Sequence, residues 1–221
     1  MPDATTSRVL LLLSAIQSTF GRCRPADDAV GRDLAKVISG LEPLPPLTGK
    51  FPPNRLAATR HLPAALQAGN ESTADLLNAI GPVARRLPWR YSYPPRADAP
   101  NLGNEIAFAE LIGPEAPFQS DSICLGLTLI GPETLYPAHR HPAVELFFVV
   151  AGSAVWTLDG VSHEHPPGTF ILHPSQAVHA MHTHSEPLLA VYSWTGADVR
   201  TPSVYTASAG ANATELTNPP H

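Results

Sequence analysis

Cysteine is nearly absent from this chain. Cys23 and Cys124 are the two among 221 residues. That excludes a disulfide framework, so two free thiols in a reducing compartment are expected, with a single bridge between them as the alternative. Positive charge is also short. Fourteen Lys and Arg against nineteen Asp and Glu leave a formal net charge of −5, and no basic run occurs. Nothing therefore supports nucleic acid or an anionic membrane surface as a partner. Long apolar runs are missing too. Val9-Leu10-Leu11-Leu12-Leu13 is too short to span a bilayer, and Asp3 rather than a basic cluster precedes it. It reads as part of a buried amphipathic helix and not as a signal peptide, and the expected location is the cytoplasm. No internal repeat, Walker loop, GxGxxG, CxxC or Ser-His-Asp arrangement is present, which removes support for nucleotide use and nucleophilic hydrolysis. What remains is an ordinary globular composition, 43% hydrophobic, long enough for one domain with a helical extension.

The texture of the chain divides it in three. Residues 1–86 read as a helical region that packs on a β-rich second part. Thr6 or Ser7 can cap a helix running to about Phe20, with Leu10, Leu13 and Ile16 or Gln17 on one face and Gly21 as its stop. Pro25-Ala26-Asp27-Asp28 opens a second helix with Val30, Leu34, Val37 and Ile38 on its apolar side, ended by Gly40. Weaker helical segments are expected over 54–66 and 71–80. Residues 87–198 read as β-structure. Trp89-Arg90-Tyr91-Ser92-Tyr93 alternates like an edge strand, and short strands are expected over 106–111, 122–130, 144–151, 154–158, 168–172, 177–182 and 188–194. Gly152-Ser153 and Asp159-Gly160 read as tight hairpin turns. Many short strands with Gly and Pro punctuation predict a mainly β fold, an antiparallel sandwich or barrel. Residues 199–221 read as a polar tail.

The chemistry-bearing feature is the run His139-Arg140-His141-Pro142-Ala143-Val144-Glu145, with His179 on a later apolar segment. Three imidazoles and a carboxylate form a ligand set for one divalent ion. Side chains alternate along a strand, so His139, His141, Glu145 and Phe147 share parity and are expected to point into one cavity. Neutral imidazoles with a carboxylate suit zinc, iron, manganese, nickel or cobalt without choosing among them.

His139-x-His141-x-x-x-Glu145-x-x-x-x-x-x-Gly152, then Gly168-x-x-x-x-x-Pro174-x-x-x-x-His179, resembles the two motifs of the cupin superfamily. The resemblance implies a cupin barrel, the double-stranded β-helix or jelly roll, carrying an α-helical N-terminal region. Tyr136-Pro137 ahead of the first motif and Ala180 after His179 narrow it: the pattern is similar to that of the cupin-type dimethylsulfoniopropionate lyases. Those enzymes carry a helical region before the barrel, use a divalent metal and cleave dimethylsulfoniopropionate to acrylate and dimethyl sulfide. Carried over by position, His141, Glu145 and His179 would be ligands, His139 a fourth ligand or close neighbour, and Tyr136 an active-site phenol. The pattern departs at Gln176, where glycine is common, at Thr183, where asparagine is frequent, and at Phe147. The family has a tyrosine at that third position, assigned as a ligand or as the general base. Phe147 has no hydroxyl, so either Tyr136 or Tyr192 takes the base role or the substrate differs.

The resemblance also implies the reaction's outline. A small carboxylate substrate polarised by the ion gives up its α-proton more easily, and a sulfonium at the β-carbon then leaves. A sulfonium favours an aromatic lining, for which Phe147, Phe148, Trp156, Tyr192 and Trp194 are candidates; Tyr192 and Trp194 share a face of the last strand. His163 and His165 read as solvated residues beside a hairpin, and His173, His182 and His184 as bystanders. Competing readings are an oxygenase or isomerase on a small acid, and a non-catalytic module that binds a small molecule. A homodimer through barrel edges is a further expectation from cupins.

Overall fold

The computed structural model describes residues 3–23, 28–97 and 99–206. Helix α1 spans Ala4–Arg22 and α2 spans Ala29–Gly40. Each starts on an aspartate: Asp3 accepts from the Thr6 N–H at 2.7 Å and Asp28 from the Gly31 N–H at 2.8 Å. The first helix thus begins earlier than Thr6 and runs through Gly21, because tertiary packing overrides the modest helical penalty of one glycine. The expected opening of α2 at Pro25 to Asp27 lies outside the described residues. Short helices occur at α3 (Leu62–Ala65), α4 (Ala74–Ile80) and α5 (Leu102–Glu105). No helix among the described residues is long and apolar enough to cross a membrane.

Eleven strands among the described residues form two packed sheets. They are β1 (Ile106–Gly113), β2 (Phe118–Gln119), β3 (Cys124–Ile130), β4 (Leu135–Arg140), β5 (Val144–Ala151), β6 (Ala154–Leu158), β7 (Val161–His165), β8 (Phe170–His173), β9 (His179–Thr183), β10 (Leu188–Thr195) and β11 (Val204–Tyr205). One sheet runs β2-β1-β3-β10-β5-β8, the other β11-β4-β9-β6-β7. This is the mainly β, jelly-roll architecture with an N-terminal helical region that the motifs imply.

Alternation gives the larger sheet two different faces. Leu125, Leu127, Leu129, Leu146, Phe148 and Val191 face outward into one core with α1, α2 and α4. Cys124, Phe147, Val149, Ala190 and Tyr192 face inward to a second core shared with Tyr136, Trp156 and Met181 of the smaller sheet. Trp89 is buried on the helical side, and Arg90 pairs with Phe108 through two backbone hydrogen bonds of 2.8 Å, so the expected edge strand is reduced to a single bridge on β1.

Two expectations need correction. Gly152-Ser153 is no hairpin: β5 belongs to the larger sheet and β6 to the smaller, so the chain crosses between sheets there. Asp159-Gly160 does join the β6–β7 hairpin, both residues at positive φ (47° and 84°), the combination that a two-residue turn needs. Residues 199–206 are not a free tail. β11 pairs with β4, placing Val204 opposite Arg140 and Tyr205 opposite His139.

Candidate metal centre

His139 sits near the end of β4, and the chain bends at Pro142 before β5 carries Glu145. The histidine pair and the glutamate therefore reach the centre from two different sheets, not along one strand as parity alone implies. His179 opens β9, in register with His139. Each ring is fixed by its own backbone. The Nδ1 of His139 lies 2.8 Å from the Pro137 carbonyl, that of His141 3.0 Å from Ala143, and that of His179 3.0 Å from Ala177. A carbonyl only accepts, so each Nδ1 carries the proton and each Nε2 keeps its lone pair.

Those lone pairs converge on one carboxylate. Nε2 of His141 is 3.0 Å from Glu145 Oε2, and Nε2 of His179 is 3.2 Å from the same atom. The His179 Nε2 is buried without a hydrogen bond among the described residues. Two lone pairs facing a buried carboxylate oxygen repel it, and a cation placed among them removes the conflict. His141, Glu145 and His179 together offer three ligand atoms within 4.8 Å of one another. The donor set thus fits a divalent metal. His139 lies beside this group: its ring is 4.1 Å from that of His179 and stacks at 4.1 Å on Tyr136.

Burial penalises the charge of Glu145, yet the histidines packed around it, His141 foremost, hold its carboxyl well below the usual carboxylate range. Burial, with His179 adding to it, pushes His139 well below the usual imidazole value, which keeps it neutral and able to bind metal. Burial also opposes protonation of His141, but Glu145 outweighs it and raises that pKa.

Two further rings bracket Glu145. Trp194 Nε1 donates to Oε1 at 2.8 Å while its indole stacks on His141 at 4.4 Å. His173 Nδ1 lies 3.3 Å from Oε2 while its ring stacks on His179 at 4.0 Å. Each bracket thus holds one carboxylate oxygen and one of the candidate ligand rings. His173 is no bystander, because its strand does not end at Leu172. β8 runs one residue further and pairs His173 with Glu145, and burial drives its pKa down to about 4.

A cavity of about 240 Å³ opens from this centre. Tyr136, His139, Glu145, Phe147, Tyr192 and Trp194 line it, with Arg90 and Arg200 at exposed positions. Phe147 stands where parity places it, buried against His173 and Trp156. Phe148 faces the helices instead, and Trp156 stays in the barrel core. The Tyr192 ring lies across Gly126, where a Cβ would come within 2.9 Å of its hydroxyl. That hydroxyl is therefore carried over β3, and burial, then Glu110 and Cys124, raise its pKa. Tyr136 stands closer to the histidines. Its hydroxyl is 2.5 Å from that of Tyr93, a residue that local sequence does not connect to the site. Burial, then Tyr93, raises the Tyr136 pKa well above normal, and burial lifts Tyr93 to about 12.

The chain is similar to known proteins. A family model for dimethylsulfoniopropionate lyase matches residues 31–190. The dimethylsulfoniopropionate lyase DddQ of Ruegeria pomeroyi is 31% identical over 175 residues, covering 77% of this chain and 82% of that protein. A DddL protein of Cereibacter sphaeroides is 32% identical over 157 residues, 70% of this chain, which in turn spans 66% of its length, just under two thirds. The crystal structure of the DMSP lyase DddQ from Ruegeria pomeroyi superposes with a TM-score of 0.76 at 27% identity, covering 90% of this chain and 96% of that one.

Proposed function

The chain belongs to the dimethylsulfoniopropionate lyase family, and we propose that it cleaves dimethylsulfoniopropionate to dimethyl sulfide and acrylate at the His/Glu centre. The observation that carries this reading is the convergence of two Nε2 lone pairs on Glu145 beside a cavity that Tyr136 lines. His141, Glu145 and His179 would hold one divalent ion, with His139 as a fourth ligand. A bound ion supplies the charge that polarises a substrate carboxylate and lowers the pKa of a phenol against it.

The protein's own groups do the rest. Tyr136, as phenolate, takes the α-proton of the substrate. The C–H electron pair becomes the new C=C bond, the β-carbon–sulfur bond breaks, and its pair leaves on sulfur as neutral dimethyl sulfide. The Tyr93 hydroxyl, 2.5 Å away, fixes the position of the Tyr136 oxygen, and the charge of a bound ion would have to offset the burial and the Tyr93 contact that raise its pKa. Geometry favours Tyr136 over Tyr192 as the base, since Tyr192 points its hydroxyl across Gly126. The faces of Phe147, Tyr192 and Trp194 offer the sulfonium a lining worth roughly 0.5–2 kcal/mol per favourable contact.

The test is headspace dimethyl sulfide, measured together with acrylate, after reloading metal-free protein separately with zinc, iron, manganese, nickel and cobalt. Equal release of both products is expected with at least one ion. Tyr136→Phe should abolish it and Tyr192→Phe should retain most of it. Metal-loaded protein that releases neither product with any of the ions would overturn the reading.

A further inference from the structure

The chain carries the His-x-His spacing three times, at His139 and His141, at His163 and His165, and at His182 and His184. The first pair, His139 and His141, lies at the centre described above. The second, His163 and His165, lies on β7, the outer strand of the smaller sheet, which pairs with β6 alone. The ring separations match: 6.4 Å between the centroids of the first pair and 6.3 Å between those of the second. Alternation puts His163 and His165 on one face of β7. Glu164 between them turns the other way, toward Ser153 and His184. Neither ring of the second pair makes a hydrogen bond or ion pair among the described residues. His163 is exposed and His165 half-buried. The desolvation that accompanies this burial, and His163 beside it, lower the pKa of His165, which leaves its ring neutral and its lone pair available.

We propose that His163 and His165 chelate a divalent transition-metal ion at the protein surface, a site separate from the buried centre. Two imidazoles with water completing the shell suit a borderline ion such as zinc, nickel or copper(II). With two protein ligands and free access to water, this site is the weaker of the two. It stands independently of the reaction assigned to the buried centre. Trp156 reports on it, since it lies opposite His163 across the β6–β7 ladder and its ring is 6.5 Å from that of His165.

The experiment is a titration of metal-free, full-length protein with nickel or copper(II), monitored by tryptophan fluorescence, with equilibrium dialysis against zinc for stoichiometry. The unsubstituted protein should bind in two classes. Glu145→Gln should lose the tight class and keep the weak one with its quench. His163→Ala and His165→Ala should each weaken the second class by about tenfold or more, since loss of an outer-sphere partner alone costs 10–100-fold. The double substitution should cost little beyond either single one, the mark of a two-point chelate. Tight-class binding and dimethyl sulfide release should stay unchanged in all three. A single class of sites, or a weak class that survives both substitutions or is lost instead in His182→Ala or His184→Ala, would overturn the proposal.

Discussion

The two faces of the larger sheet are built from the same strands and do opposite work. Phe148 and Phe147 are neighbours on β5. Phe148 packs edge-on against Phe20 at 5.8 Å and tilted against Phe170 at 4.7 Å, inside an apolar layer closed by helices. Phe147 turns inward to His173 and the cavity. The inward space also leaves polar atoms unpaired. Thr128 Oγ1, Trp156 Nε1, His173 Nε2 and His179 Nε2 are buried without partners among the described residues, each an expense of roughly 1–3 kcal/mol. The outward layer has one such atom where α2 meets β10: Asp33 Oδ2, whose fellow oxygen accepts from Thr195 at 2.7 Å. The apolar layer lies on one face and the candidate metal centre on the other, and a register slip of one residue would exchange them.

If that division holds, substitutions on the two faces should separate activity from stability. The largest expected effect is on the inner face. Glu145→Gln removes the charge on which His141 and His179 converge, and kcat/KM should fall by about a thousandfold or more, while the urea midpoint of metal-free protein moves little. A comparable loss of stability would show that the inner face also carries the fold. Next is Phe148→Ala on the outer face, expected to destabilise by about 3–5 kcal/mol. The folded fraction should keep its turnover and metal content. A turnover defect per folded molecule would mean the faces are coupled through β5.

The third effect is smaller and concerns the inner face alone. His173→Phe keeps a ring against His179 but removes the hydrogen bond to Glu145, and metal affinity should drop roughly 10–100-fold. His173→Gln restores a donor and should recover part of that. Competition with a chromophoric chelator reads both. Equal affinities for the two variants would reduce His173 to packing.

How far the sequence can reveal this division depends on where each signal resides. The candidate ligand set is legible because His139, His141, Glu145 and His179 are close in sequence or anchored by glycine and proline at fixed offsets. Inward parity for Phe147, Tyr192 and Trp194 comes from period two, and the two-residue turn at Asp159-Gly160 from its residue types. The crossing at Gly152 is hidden because a turn signal does not tell which sheet the next strand joins. β4 and β7 do not stand out as strands, since prolines and histidines dilute their apolar pattern. Tyr93 and Tyr205 reach the site only through tertiary docking, Tyr93 onto Tyr136 and Tyr205 opposite His139 on β11. No local periodicity encodes such contacts.

The smallest expected effect separates the two rings that bracket Glu145. Trp194 and His173 each hold one carboxylate oxygen and stack on one histidine, but they differ in access to water. His173 is fully buried, so nothing replaces its N–H when it is removed. Trp194 is half-buried and lines the cavity, so water can reach Oε1 when the indole N–H is gone. Trp194→Phe keeps an aromatic face on His141 and loses a hydrogen bond that solvent can remake. The net cost is then that of an ordinary exchangeable hydrogen bond, about 0.5–1.5 kcal/mol, or roughly a 2–10-fold loss of metal affinity. Because the same face lines the substrate cavity, KM for dimethylsulfoniopropionate should rise more than kcat falls. A loss as large as that of His173→Phe would mean that water does not reach Oε1, and the cavity would have to be drier around Glu145 than its lining indicates.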